Sequence, residues 1–388
     1  MSAVIFSVLL ITVMRSLQYG SYDAMESQAV QTLTGHLQIQ APGYQEEQTF
    51  AYLLDDPGWR EAVAGDDWVE TTTRRLTGFG LVSGDSASAG AMILGIEPSK
   101  ELRVSTFMNR VVAGTLLEDA STNEAVLGHL LARNLDVATG DTVVVITQGY
   151  RGQMGADVYR VRGLIRTGAA EMDRSIMVIT LSDAQFLFST GEGVTQIVVS
   201  GADFRDAPAK AAELQARLPA DRFAVLDWNT LMPELRQMIF LDNMGGIIFL
   251  FFMLLLVGFE LFNTTTMSVM ERMREFGILQ AIGMQPGSLA RVVLVELLLK
   301  LGMAVALSAL LSGALLWYLH GNPIPLTAEL VEMYEEFGFS VESLLFSTRP
   351  AVFLEPFVSI LVIALLTTIY PVVRVFRLDI TAALRRET

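Results

Sequence analysis

Three stretches of this chain are so apolar and so long that they can only be helices in a non-aqueous setting. Met244 to Thr266, Val292 to Leu319 and Ala351 to Phe376 each reach the roughly 20 residues that cross a hydrocarbon layer of about 30 Å as a helix. Within them Ile247–Phe259, Leu301–Leu319 and Phe357–Val373 carry no charge. Lipid offers no hydrogen bonds, so a continuous apolar run must satisfy its own backbone, and a helix does so. A fourth apolar stretch, Ser2 to Met14, is uncharged but short for a span. It has neither a basic flank nor a small-residue cleavage pattern, so it does not read as a cleaved leader. The expectation is a first membrane helix whose true start lies upstream of Met1, behind a cytoplasmic segment. Hydrophobic residues make up 52% of the chain and are concentrated at its two ends, which leaves a large soluble insert between the first and second spans.

Cytoplasmic loops are enriched in Lys and Arg, and this sets orientation. The loop after the second span has Arg272, Arg274 and Arg291, and the tail has Arg374, Arg377, Arg385 and Arg386. The loop at 320–350 sets Arg349 against Glu329, Glu332, Glu335, Glu336 and Glu342. The expected order is therefore helix 1 over 1–20, an external domain over 21–240 and helix 2 over 241–266. A cytoplasmic loop over 267–290, helix 3 over 291–320, an external loop over 321–350, helix 4 over 351–376 and a cytoplasmic tail over 377–388 complete it. Arg15 is the exception, since it lies on the outer flank of helix 1.

The insert reads as α+β. Tyr22 to Gly35 extends helix 1 outward. Strands are predicted at 69–76, 91–96, 141–147, 158–165, 175–180 and 195–199 from β-branched content, period-two alternation and short buried runs. Helices are predicted over Ala125–Leu135, with His129 and Arg133 on its polar side, and over Leu181–Phe188 with Ser182 as N-cap. A third covers Ala207–Leu218, with Pro208 in its first turn. The domain is expected to form one or two lobes, with no internal repeat.

Most chemistries are excluded. The chain has no cysteine, so neither disulfides nor thiol catalysis arise. A net charge of −15, with acids in excess in the insert, disfavours nucleic acid as a partner. His36, His129 and His320 are too scattered for a metal site and read as ordinary structural residues. No nucleotide-binding, serine-hydrolase or zinc-protease motif occurs. Gly78-Phe79-Gly80 lacks the helix that a phosphate loop needs. No catalytic, cofactor or metal residue is therefore assigned. Charges inside the spans need partners. Glu296 and Lys300 are spaced as an i,i+4 pair, and that reading outweighs a substrate path. Glu260 lies near the inner end of helix 2, and Glu355 at the outer end of helix 4.

The loop after the second span is more informative. It reads Met270-Glu271-Arg272-Met273-Arg274-Glu275-Phe276-Gly277-Ile278-Leu279-Gln280-Ala281-Ile282-Gly283. As a helix it makes Glu271–Arg274 and Arg272–Glu275 i,i+3 pairs. Phe276, Leu279 and Ile282 share a face suited to a partner's groove. Gly283 and Pro286-Gly287 end the element, and Ser288 is placed to cap the next helix. Its mixed charge argues against a helix lying on lipid, which is usually basic.

These residues, with Asn263-Thr264 and Met267-Ser268-Val269 before them, resemble the FtsX-like permease family of ABC transporters. That family includes permease subunits of lipoprotein-releasing systems and MacB-type exporters. Gly35-His36-Leu37-Gln38-Ile39 through Pro42-Gly43-Tyr44 resembles the start of the periplasmic domain in lipoprotein-release permeases. Gly95-Ile96-Glu97-Pro98, Val126-Leu127-Gly128, Leu131-Ala132 and Val137 with Gly140-Asp141 resemble that domain's core. Pro371, Arg377-Leu378-Asp379 and Ala383-Leu384-Arg385 resemble the family's closing motif, with Ile380 where proline is usual.

The resemblance implies a membrane protein of four transmembrane helices with a large periplasmic α+β domain between helices 1 and 2, in the inner membrane. It implies a non-enzymatic permease subunit, with ATP and magnesium bound by a separate ABC ATPase and no cofactor in this chain. Glu271, Arg272, Arg274, Glu275, Phe276, Gly277, Leu279, Ile282 and Gly283 would form the coupling helix on that ATPase. A second permease subunit, identical or different, and membrane lipid would complete the assembly, with a periplasmic lipoprotein carrier or lipoprotein cargo outside. Extraction of lipoproteins is the leading function. MacB-like export of periplasmic peptides or drugs and FtsX-like regulation of a cell-wall hydrolase are the alternatives.

Overall fold

The computed structural model describes residues 2–336 and 343–377, so the closing motif from Leu378 to Arg385 lies outside the described residues, as do Arg386 and Glu342. The chain divides into two compact units. One comprises 1–23, 237–325 and 343–388, and the other 24–236 with 326–342. The helices used below are α1 (Ser2–Ala29), α2 (Pro98–Val104), α3 (His129–Leu135), α4 (Leu181–Phe188), α5 (Ala207–Arg217), α6 (Pro233–Glu271), α7 (Met273–Ala281), α8 (Pro286–Gly321) and α9 (Pro350–Phe376).

Four helices of the described residues are long and apolar enough to cross a membrane, namely α1 with its continuation and α6, α8 and α9. Val4, Val8 and Ile11 of α1 pack with Ala304 of α8 and Ile360 of α9. The first helix is longer than its uncharged part. It runs through Arg15 to Ala29, and a π-helical turn, Val30–Thr34, carries it to Gly35 at φ +67°.

Arg15 does not end the helix because it is buried and matched. Its Nε donates to Glu355 of α9 at 2.9 Å, and its Nη1 to Gln18 at 2.7 Å and to Asn243 of α6 at 3.2 Å. Tyr19 OH donates to the other Glu355 oxygen at 2.7 Å. The charge that broke the Lys/Arg rule is thus an internal tie among α1, α6 and α9, and Glu355 is its counterion. At the same end the segment 345–347 crosses α1 so closely that a Cβ on Gly20 would lie 2.0 Å from the Leu345 carbonyl oxygen. Ser16 Oγ donates to the Ser347 carbonyl at 2.7 Å, fixing that crossing.

The second unit is built on β1 (Leu37–Gln40), β2 (Val69–Ser83), β3 (Ser88–Ile96), β4 (Val111–Gly114), β5 (Glu124–Gly128), β6 (Thr142–Gln148), β7 (Met154–Ile165), β8 (Ile176–Thr180), β9 (Gln196–Gly201) and β10 (Ala224–Asp227). Their order is β10-β1-β9-β2-β3-β8-β5-β7-β4, and β6 joins β7 back to β2. Pairing therefore closes a circuit β2–β3–β8–β5–β7–β6–β2, which removes the free edges those strands would otherwise present. The β3–β8 and β5–β7 pairs are parallel, as crossover connections allow, and the rest of the circuit is antiparallel.

The predicted strands all form, but 69–76 is only the first half of β2. Gly78 and Gly80 continue it, and a Cβ at Gly78 would lie 2.4 Å from the Phe188 ring. These glycines make room for packing. The predicted helix over Ala125–Leu135 is corrected: Glu124–Gly128 is strand β5 and the helix starts at His129. Ala125, Val126 and Leu127 are wholly buried between β7 and β8, and a short apolar run buried on both faces has no period that separates strand from helix. The N-cap of α4 is Thr180, which accepts the Asp183 amide at 3.2 Å, two residues before the predicted Ser182.

Two polar features lock this unit. Arg75 of β2 and Glu101 of α2 are both fully buried; Nε donates to Oε2 at 3.1 Å, and Ser105 Oγ bridges Arg75 Nη2 and Glu101 Oε1 at 2.7 and 2.6 Å. His36 Nδ1 accepts the Gly201 amide at 2.8 Å, which ties the chain entering β1 to the end of β9 and requires a neutral ring at that nitrogen. Burial holds this histidine below its ordinary 6.5, against opposing pulls from Glu70 and Asp203.

Glu101→Gln takes the facing carboxylate away from a buried guanidinium, and we expect a loss of about 3–5 kcal/mol in unfolding of the full chain. A loss under about 1 kcal/mol would show that the pair is dispensable. Because His36 has its folded pKa below its unfolded one, the stability it contributes is complete above 6.5 and is lost as pH falls from that value through the folded pKa. The thermal midpoint should therefore decline between about pH 7 and pH 5 more steeply in the native chain than in His36→Gln. Equal slopes would contradict this.

Candidate coupling surface

Helix α6 ends at Glu271, Arg272 leaves helical geometry at φ −97°, ψ 7°, and α7 restarts at Met273. The break aims the Arg272 side chain at α8. Its Nη1 donates to both Glu296 oxygens, at 2.9 and 2.8 Å, and its Nε to Glu275 at 3.2 Å. Lys300 Nζ completes the cluster at 2.7 Å from Glu296. The predicted Glu296–Lys300 and Arg272–Glu275 pairs are both present, whereas no Glu271–Arg274 pair occurs among the described residues. Arg272–Glu296 had no signal in the sequence, since the partners lie on different helices. Each member of this cluster is partly exposed, so its value is modest energy and sharply defined direction.

Under the cluster, α7 buries one face. Phe276 is 3% exposed and packs with Val269, Leu289, Val293 and Val375, with the Arg272 guanidinium 5.3 Å from its ring centre. Gly277 and Gln280 are buried beside it. The expectation that Phe276, Leu279 and Ile282 present one face to a partner is therefore corrected. Phe276 anchors α7 to its own unit, because α8 and α9 supply apolar side chains on that side. The free surface is made by Glu271, Arg274, Glu275, Ile278, Leu279 and Ile282, with Ile282 80% exposed.

The end of α7 is a Schellman turn. Met284 N–H donates to the Leu279 carbonyl and Gly283 N–H to that of Gln280, both at 3.0 Å, with Gly283 at φ +109°. No side chain limits space at Gly283, so its requirement is conformational. The next helix is capped at Gln285 with Pro286 in its first turn, not at Ser288. Glu260 is exposed on α6 and has no hydrogen bond or ion pair among the described residues.

The strand unit carries a surface that the sequence did not single out. Leu81 faces Ile146, which faces Ala156, and Val144 faces Val158. With Phe79 and Met154 these side chains are exposed, while Val82, Val143, Val145 and Tyr159 fill the opposite, buried face. A solvated strand face is normally polar, and this one is apolar and uncovered within the described strand unit. The alternation in burial was visible in the sequence only as an unbroken Val-Val-Val-Ile run. The histidines are placed structurally: His129 lies 3.2 Å from Asp173, and His320 Nδ1 is 2.8 Å from the Phe346 carbonyl.

Residues 247–380 match the FtsX-like permease C-terminal model and residues 1–217 the MacB-like periplasmic core domain model. The chain is 28% identical over 214 residues to the lipoprotein-releasing system transmembrane protein LolC of Neisseria meningitidis, across 53% of this chain and 51% of that protein. It is 27% identical over 346 residues to LolC of Xylella fastidiosa strain 9a5c, across 85% and 81%. The first of these matches thus spans about half the length of the relative. The periplasmic region of MacB from Actinobacillus actinomycetemcomitans is 14% identical, with a TM-score of 0.36 over 52% of this chain and 92% of that one. On the two matched regions, which take in the apolar helices, α7 and the strands of the second unit through β9, the chain belongs to the FtsX/MacB family of ABC transporter permeases.

Proposed function

We propose that this chain is an inner-membrane permease subunit through which a separate ATPase drives the release of lipoproteins. The observation that carries the reading is α7. It is a short helix anchored on one face by Phe276, tied to α8 by Arg272 and Glu296, and presenting a free face of mixed charge and exposed isoleucine. Such a face suits a groove on a protein partner, with apolar anchors at helical spacing and charges around them. ATP and magnesium belong to that partner. Movement of α7 on hydrolysis reaches α8 through Glu296, and α1 and α6 pass it to the external domain. A second permease subunit, identical or different, completes the assembly.

The lipoprotein cargo is supported by the relatives, which are named as lipoprotein-releasing proteins. It is supported also by the exposed apolar face of β2, β6 and β7, which suits a soluble carrier able to shield acyl chains. The test is ATP-dependent release of lipoproteins from spheroplasts to a soluble acceptor. Ile282→Glu should lose both ATPase co-purification and release while membrane insertion survives. Ile146→Asp should keep the ATPase and lose delivery to the acceptor. Full ATPase co-purification with Ile282→Glu would refute the docking face, and native delivery with Ile146→Asp would refute the receiving face.

A further inference from the structure

The apolar unit contains a cavity of about 190 Å³ whose polar lining includes Glu260, Thr264 and Ser268 of α6, Lys300 of α8 and Thr368 of α9. Its level in the membrane follows from the sequence. Glu260 directly follows the uncharged stretch Ile247–Phe259, and Lys300 directly precedes the uncharged stretch Leu301–Leu319. Both charges therefore stand where hydrocarbon gives way to headgroups, on the side of the membrane that holds α7. Leu301 lines the cavity as well, so one boundary of the space is apolar.

The charges there are unevenly matched. Glu296 already holds Arg272 and Lys300. Lys300 gives one of its three donors to Glu296 and has two to spare. Glu260, Thr264 and Ser268 have no hydrogen-bond partner among the described residues. A carboxylate at a lipid boundary is costly until a cation meets it. A ligand that satisfies this lining brings an ammonium to Glu260 and an anionic oxygen to Lys300 and the hydroxyls, with acyl chains continuing along the apolar side.

We propose that this cavity is a specific site for one phospholipid whose headgroup carries both a phosphate and a primary ammonium. The site shares Lys300 with the Arg272–Glu296 cluster, but lipid occupancy is read separately from any coupling by α7. Phosphatidylethanolamine has the required groups. Phosphatidylcholine lacks the ammonium hydrogens, and phosphatidylglycerol lacks the cation.

The test is native mass spectrometry of the full detergent-purified chain titrated with each of these lipids. The native chain should retain one phosphatidylethanolamine about tenfold more strongly than either other lipid, as one added charge-assisted contact provides. Glu260→Gln should remove the preference for the primary ammonium, and Lys300→Gln should weaken all three lipids. Elution as a single species checks that both variants are folded. Equal retention of the three lipids by the native chain, or an unchanged preference in Glu260→Gln, would overturn the proposal. The chain has no cysteine, so Thr264→Cys gives a clean second readout. Slow disulfide formation between copies agrees with a lipid-filled site, and rapid formation would show that a second copy fills it and would also overturn the proposal.

Discussion

The organisation of the membrane helices around α7 depends on one carboxylate. Glu296 of α8 receives two bonds from Arg272 and one from Lys300. A carboxylate near hydrocarbon needs this compensation, and the need dictates geometry. Arg272 reaches Glu296 because α6 breaks at that residue, and the break sets where α7 begins. Phe276, one turn on, then falls against α8 and α9, and the remaining face of α7 is left outward. The ion pair sets the direction of the short helix, and the packing of Phe276 fixes which side is anchor and which is free.

The opposite end of these helices obeys the same rule with other residues. Arg15, buried in α1, is answered by Glu355 of α9 and by Asn243 of α6. Between the two ion clusters, Glu260 apart, the described helices carry hydroxyls that satisfy themselves on the backbone. Ser308 and Ser312 donate to carbonyls four residues back, at 2.6 and 2.7 Å, and so remain satisfied while buried. Each end of the helix group is thus fastened by charges and the middle by shape. In the proposed function, α7 is displaced by the ATPase and Arg272 carries the push.

Much of this was readable from residues. The spans follow from uncharged length, and β6 to β9 from β-branched runs bounded by turns. The Glu296–Lys300 pair follows from helical spacing. What escaped was information held in three dimensions. β5 looked like the start of a helix because Ala125-Val126-Leu127 is buried on both faces and shows no period. Phe276 looked like a docking residue because Leu279 and Ile282 lie at helical spacing from it, and the sequence does not say which side α8 and α9 cover. Arg15 seemed misplaced until Glu355, 340 residues away, appeared as its counterion. Arg272–Glu296 joins two helices across a turn and leaves no local pattern. Local spacing indicated Glu296–Lys300 and Arg272–Glu275 but also Glu271–Arg274, which does not form among the described residues, while ties between helices become visible only after packing.

In the proposed function the Arg272–Glu296 tie carries motion from α7 into the membrane helices. Its most direct measurement is lipoprotein-stimulated ATP hydrolysis in the reconstituted complex, with Arg272→Glu, Glu296→Arg and the double exchange compared in one preparation. Each single change is expected to abolish stimulation while the ATPase still co-purifies, and the exchange to restore a large part of it. Stimulation at the native level in both single variants, or an exchange no better than either, would contradict it.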